Sequence, residues 1–78
     1  MDKLKEIFAS VLGVETATIT GETSPENTPS WDSLNAIVLI TEIEKAFKVR
    51  FELQEAMAVK NFADAAKLVK SKTSDFHE

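Results

Sequence analysis

Apolar side chains recur at helical spacing in three separate stretches of the chain and nowhere alternate in twos. Leu4, Ile7, Phe8, Val11 and Leu12 fall at i, i+3, i+4, i+7 and i+8, which draws one stripe along a helix. Phe62, Ala65, Ala66 and Val69 draw another near the end, and Ala36, Ile40, Ile43 and Phe47 a third in the middle. Successive strand residues point to opposite faces, so the missing period of two argues against any sheet and for an all-α fold. Each stripe must be covered, and in one short chain the stripes cover one another.

Boundaries follow from the residues flanking the stripes. The first helix is expected over residues 3–12, with Asp2 as cap and Gly13 as stop. From Gly13 to Ser30 the chain is mostly Thr, Glu, Ser, Pro, Asn and Gly, a loop longer than the ~12–15 residues usual in a compact domain unless it is functional or pinned. Val14 and Ile19 are the expected pins, with a short turn around Ala17 to Ile19. A second helix should run from Ser33 to Phe47, followed by an extended, buried connection through Val49, Arg50 and Phe51. A short third helix is expected over Leu53 to Met57 and a fourth beyond Asn61, which caps it, with Asp64 in its first turn. Residues 71–78 are polar apart from Phe76 and are expected to fray. The architecture is a small four-helix bundle of three main helices and one short one, with the long loop between the first two. Alanines at the contacts (Ala36, Ala46, Ala65, Ala66) read as close packing, with room left between the helices as the open alternative.

One polar tripeptide stands where the loop becomes the second helix. Asp32-Ser33-Leu34 follows both prolines and Trp31, and opens the most apolar run, Ala36 to Ile40. A serine at that boundary points to solvent from a fixed platform, beside the first free N–H groups of the helix, a setting that favours an attached or bound anion. Asp32 or Ser33 would equally serve as an ordinary helix cap. Beyond it, Leu34, Val38, Thr41 and Lys45 fall on the face opposite the core stripe. Two aliphatics one turn apart beside Ser33 read as a docking surface for another protein.

Composition removes most alternatives. The chain has 78 residues, enough for one domain and one function. It has no cysteine, and its one histidine, His77, lies next to the C-terminus, so neither a thiol nucleophile nor a Ser-His-Asp arrangement is available. If Ser33 reacts, another protein activates it. Asp32, Glu42 and Glu44 are carboxylates at helical spacing, which is how a solvated helix face looks, and a catalytic reading is set aside. Glu22 to Asp32 lacks the alternating ligands and central glycine of a calcium loop. No metal site is expected. A net charge of -4 disfavours nucleic acid, whose affinity for proteins comes from Lys and Arg. The longest unbroken apolar run is 5 residues, against ~20 for a membrane span, and with mixed charges leading straight into an amphipathic pattern no signal sequence is expected. A cytoplasmic, non-catalytic, monomeric protein is expected.

Together, the first helix with its Leu/Ile/Phe stripe, the long loop, Asp32-Ser33-Leu34 and the helix ending Ile43-Glu44-Lys45-Ala46-Phe47 resemble the acyl carrier protein family across residues 1–78 as one carrier domain. The resemblance implies a four-helix carrier bundle, with 4'-phosphopantetheine from coenzyme A attached at Ser33 and Asp32 and Leu34 in the recognition motif. It implies as partners a phosphopantetheinyl transferase, an acyl-loading ligase or synthase and acyltransferases. The cofactor then brings the reactive thiol, and the partners make and break the bonds. A phosphate near the start of the helix would sit beside Asp32, so Asp32 is expected to serve the transferase rather than the finished conjugate. Departures from the family pattern concern partners. Asn35, Val38 and Thr41 stand where acids or a methionine are common, leaving Asp32, Glu42 and Glu44 diluted by Lys45 and Lys48, so charge steering is weakened. Leu34 and Val38 are expected to carry partner affinity, with Thr41, Glu42 and Lys45 beside them. Trp31 before the motif is similar to carriers of specialised polyketide, peptide-type or surface-glycan pathways, with a fatty-acid-like pathway also open. A small helical adaptor without a prosthetic group is the alternative from a different class, and it makes no use of Ser33.

Overall fold

The computed structural model describes residues 2–73. Four helices follow one another: α1 (Asp2–Leu12), α2 (Ser33–Phe47), α3 (Leu53–Met57) and α4 (Phe62–Thr73), with a single 3-10 turn at Thr16–Thr18 in the long loop. No strand occurs among the described residues. Asp2 lies inside α1 rather than before it, and residues 71–73 continue α4 instead of fraying. Phe76 and His77 lie outside the described residues.

Each boundary has a local cause. Gly13 takes φ +69°, and its N–H and that of Val14 both donate to the Ala9 carbonyl, closing α1. Asp32 sits extended at φ -107° and accepts from the Asn35 N–H, which starts α2. Lys48, left-handed at φ 57°, ends it by donating its N–H to the Glu44 carbonyl. Asn61 Oδ1 accepts from the Asp64 N–H at 2.8 Å, capping α4, while Asp64 Oδ2 reaches back to accept from the Lys60 N–H at 3.2 Å, one residue before the cap.

Phe8 of α1 is the centre of the core. Trp31 meets it edge-on at 5.2 Å between ring centroids and 79°, and Phe62 does the same at 4.9 Å and 81°, the geometry aromatic quadrupoles prefer. Leu4, Leu12, Ile19, Leu39, Ile43, Ala65 and Val69 complete the buried cluster. The stripe of α2 is thus rotated from the one expected. Leu39 and Ile43 are buried, while Ala36, Ile40 and Phe47 are half-buried. The rotation has a physical source in α3, whose single short turn supplies too little surface to cover the Ile40 side of α2. Ile19 is buried and Val14 half-buried, as expected of the loop's pins. The loop is held equally by its backbone, since the Thr23 and Gly21 carbonyls accept from the Phe62 and Ala63 N–H groups at 2.8 and 3.1 Å. These bonds satisfy donors that the start of α4 cannot pair internally.

α3 is tied down by polar contacts. Glu55 Oε1 accepts from the Glu52 N–H at 2.8 Å and from Lys72 Nζ of α4 at 2.8 Å. The Lys72 ammonium also stands 5.9 Å from the centre of the Phe51 ring. The hydrogen bond from Lys72, followed by that from the Glu52 N–H, holds the Glu55 carboxyl below its usual range.

Candidate functional site

Trp31, Asp32 and Ser33 are neighbours in sequence with three different environments. Trp31 is 5% exposed and lies against Phe8, so the chain is nailed to the core one residue before the helix cap. Asp32 is exposed but occupied, its Oδ1 accepting from the Asn35 N–H at 2.9 Å. Ser33, the first residue of α2, is exposed, and among the described residues nothing hydrogen-bonds its hydroxyl. The first i to i−4 bond of the helix runs from the Ala36 N–H to the Asp32 carbonyl. The Ser33 and Leu34 N–H groups therefore remain at the open positive end of α2, where a phosphate on the hydroxyl would find donors.

Beside Ser33 runs an open apolar groove of about 540 Å³ between α2 and α3. Ile37 and Ile40 form one wall, Leu53, Ala56 and Met57 the other, and Trp31 and Ser33 one end. Behind it, in the core, lies a void of about 30 Å³ between Phe8, Leu39, Ile43 and Ala65, with Ala36 and Ala56 bordering both spaces. That volume holds a water-sized group, well below the ~150 Å³ that admits a benzene ring. Leu34, Ile37, Leu53 and Met57 are 64–76% exposed, four large apolar side chains around one serine.

The remaining residues singled out in the sequence are placed unevenly. Leu34 is exposed as expected, but Val38 is half-buried, and Ile37, which the helical wheel had put on neither stripe, is the exposed aliphatic of that turn. Thr41 is exposed with its hydroxyl donating back to the Ile37 carbonyl at 3.0 Å. Glu42 and Lys45 form a solvent-exposed pair at 3.8 Å, of a kind that contributes little. Glu44 departs from the expected acidic face. It is half-buried, and its Oε2 accepts from the Phe51 N–H at 2.9 Å, so it tethers the segment leading to α3. Leu53 and Met57 were visible in the sequence only as part of a short helix. Their exposure follows from how α3 lies on the bundle.

Residues 2–69 match the sequence model of a family described as a phosphopantetheine attachment site. The chain belongs to the acyl carrier protein family. It is 31% identical over 70 residues to the acyl carrier protein of Brachyspira hyodysenteriae strain ATCC 49526 / WA1, covering 88% of this chain and 90% of that one. Its fold superposes with a TM-score of 0.85 on the solution NMR structure of the holo acyl carrier protein from Geobacter metallireducens, at 35% identity over 99% of this chain and 92% of that one. This carrier protein accordingly takes a covalent 4'-phosphopantetheine and is not itself a catalyst. Its partners are a phosphopantetheinyl transferase and biosynthetic enzymes that act on the carried group. The residues at the start of α2 suit such a modification, with an unengaged hydroxyl, two adjacent N–H donors and an apolar groove. No helix among the described residues is long and apolar enough to cross a membrane.

Proposed function

We propose that Ser33 is the attachment point, and that residues 1–78 act as one monomeric, cytoplasmic carrier domain passing acyl or aminoacyl thioesters between enzymes. The observation that carries this is the Ser33 hydroxyl, exposed and unengaged at the first position of α2 while Trp31 and Asp32 on its N-terminal side are both committed to the fold. A residue needed only as a cap would be bonded to the helix, and here Asp32 has that role. Leu34 belongs to the recognition surface. Asp32 combines its cap with presenting a negative charge to the transferase.

The partner surface centres on Leu34 and Ile37, with Leu53 and Met57 across the groove, and Val38, Thr41, Glu42 and Lys45 form its rim. With Glu44 turned inward and Glu42 beside Lys45, this face has little net charge. Partners that dock here are recognised by apolar complementarity more than by charge steering. This favours a specialised pathway, of polyketide, peptide or surface-glycan type, over one whose enzymes rely on basic docking patches.

The same apolar patch would serve an adaptor that has no prosthetic group, and one experiment separates the two. The intact mass of the purified protein is measured after incubation with coenzyme A, Mg²⁺ and a broad-specificity phosphopantetheinyl transferase, alongside Ser33→Ala. One added phosphopantetheine on the wild type, and none on Ser33→Ala, is the expected result. A folded wild type that gains nothing, while a control carrier is loaded, refutes the carrier reading and leaves the adaptor.

A further inference from the structure

We infer that α3 is a gate on the groove beside Ser33, opening as a unit of its own, and that Lys72 in the last turn of α4 is its latch. The inference deepens the reading of this groove as the functional face, while the gate itself is a property of the unmodified chain. α3 has 5 residues, none of them buried. A helix of that length does not hold itself together in water. Its large apolar side chains, Leu53 and Met57, face solvent and Ala56 is only half-buried, so burial does little to fix it. The opposite wall differs, because α2 is set in the core by Leu39 and Ile43. One side of the groove is therefore fixed and the other movable.

Polar ties hold the movable side, and one cation joins them. Lys72 Nζ donates to Glu55 Oε1 at 2.8 Å and stands 5.9 Å from the centre of the Phe51 ring, so it grips α3 in its middle and again just before its start. The same Glu55 oxygen accepts from the Glu52 N–H at 2.8 Å, part of the capping box that starts α3. Glu55 thus serves the helix start and the latch through one atom. Glu44 of α2 holds the Phe51 N–H, but that bond lies ahead of α3 and does not reach the helix itself. The Lys72 and Glu55 side chains are 27% and 30% exposed, against 71% and 47% for Lys45 and Glu42, so solvent screens the latch less. Release of α3 moves Leu53, Ala56 and Met57 together. Since Ala56 borders both the groove and the void behind it, each opening joins the two spaces beside Ser33. The end of α4 thereby sets how often the site is enlarged.

Native-state hydrogen exchange of the unmodified protein, followed by NMR, tests this with Lys72→Met and Lys72→Arg. Methionine keeps an apolar stem without the cation, and arginine keeps the cation. The Ala56 and Ala58 N–H groups, paired to the Glu52 and Gln54 carbonyls, report α3, and those of Leu39 and Ile43 report α2. In the wild type the α3 amides are expected to exchange faster than the α2 amides, at rates that low urea leaves unchanged, as for an opening that exposes little surface. Lys72→Met is expected to raise the α3 rates about threefold, the scale of one partly shielded ion pair, and Lys72→Arg to keep them at the wild-type value. α3 amides that exchange as slowly as those of α2, with the same urea dependence, would show that α3 opens only with the whole domain and would overturn the gate. Unchanged α3 rates in Lys72→Met, or an arginine variant as fast as the methionine one, would overturn the latch. These rates are independent of Ser33, whose modification is decided separately by the mass measurement on wild type and Ser33→Ala.

Discussion

Trp31 joins the core to the site, and removing its ring tests both connections. Trp31→Ala deletes a side chain that is 5% exposed and edge-on to Phe8 at 5.2 Å. Truncating a buried aromatic costs about 3–5 kcal/mol through lost transfer energy and an incompletely collapsed cavity. Collapse is limited here, because the side chains that line the space around the ring, among them Phe8, Leu39, Ala56 and Ala65, belong to all four helices. At about 0.05–0.15 kcal/mol per residue, the whole domain has a stability of about 4–12 kcal/mol, so this one side chain accounts for a large share. A urea titration with a slope of about 1 kcal/mol per molar should show the midpoint fall by about 3–5 M, or to zero if the domain starts near the lower bound. The aromatic geometry is read separately by a double-mutant cycle of Trp31→Leu with Phe8→Leu, for which about 0.5–1.5 kcal/mol of coupling is expected. Thr41→Ala, on the exposed face, serves as a control within about 0.5 kcal/mol of wild type. A loss below about 1 kcal/mol for Trp31→Ala, well under the range for buried aromatics, would refute the burial argument. Coupling indistinguishable from zero would refute the ring contact.

The rotation of α2 predicts that Leu39→Ala costs about 2–5 kcal/mol while Ile40→Ala, at the groove edge, costs clearly less. Equal losses in chemical denaturation, or the reverse order, would restore the stripe centred on Ile40. The Glu55 carboxyl is held below its usual value of 4.5, chiefly by Lys72, so in the folded state it binds a proton less readily than in the unfolded chain. Its contribution is therefore fully present above that usual value and is lost as pH falls through the lower folded-state value. Lys72→Met should accordingly lie closer to wild type in urea midpoint at pH 3 than at pH 6. A gap between the two proteins that does not change with pH would show that Lys72 acts through packing on Phe51 rather than through Glu55.

Much of the fold was legible because helical periodicity is written locally. The stripes, the Gly13 stop, the Asn61 cap and the span of α2 depend on residues within a turn or two of one another. The tripeptide at the loop boundary was legible for the same reason, with Asp32 taking the cap and leaving Ser33 to solvent. Errors arose where a second element decided the outcome. A helical wheel fixes angles between residues but not which angle faces the core, so Leu39 was overlooked and Val38 was given an exposure that belongs to Ile37. Glu44 looked like surface charge until the chain returned to place the Phe51 N–H beside it. The long loop showed its pins Val14 and Ile19 as apolar residues, but not the Thr23 and Gly21 carbonyls that bond to α4, since a backbone carbonyl looks alike at every position.

The sequence by itself determined an all-helical chain with a serine at the start of its central helix, because propensity, periodicity and capping act over distances of a few residues. The tertiary structure decided what surrounds that serine. A groove exists only where α2 and α3 fail to cover each other, and the loop before the serine is held only once its Thr23 and Gly21 carbonyls meet the start of α4. Both depend on how elements are packed, and burial is a property of the assembled chain rather than of any segment within it.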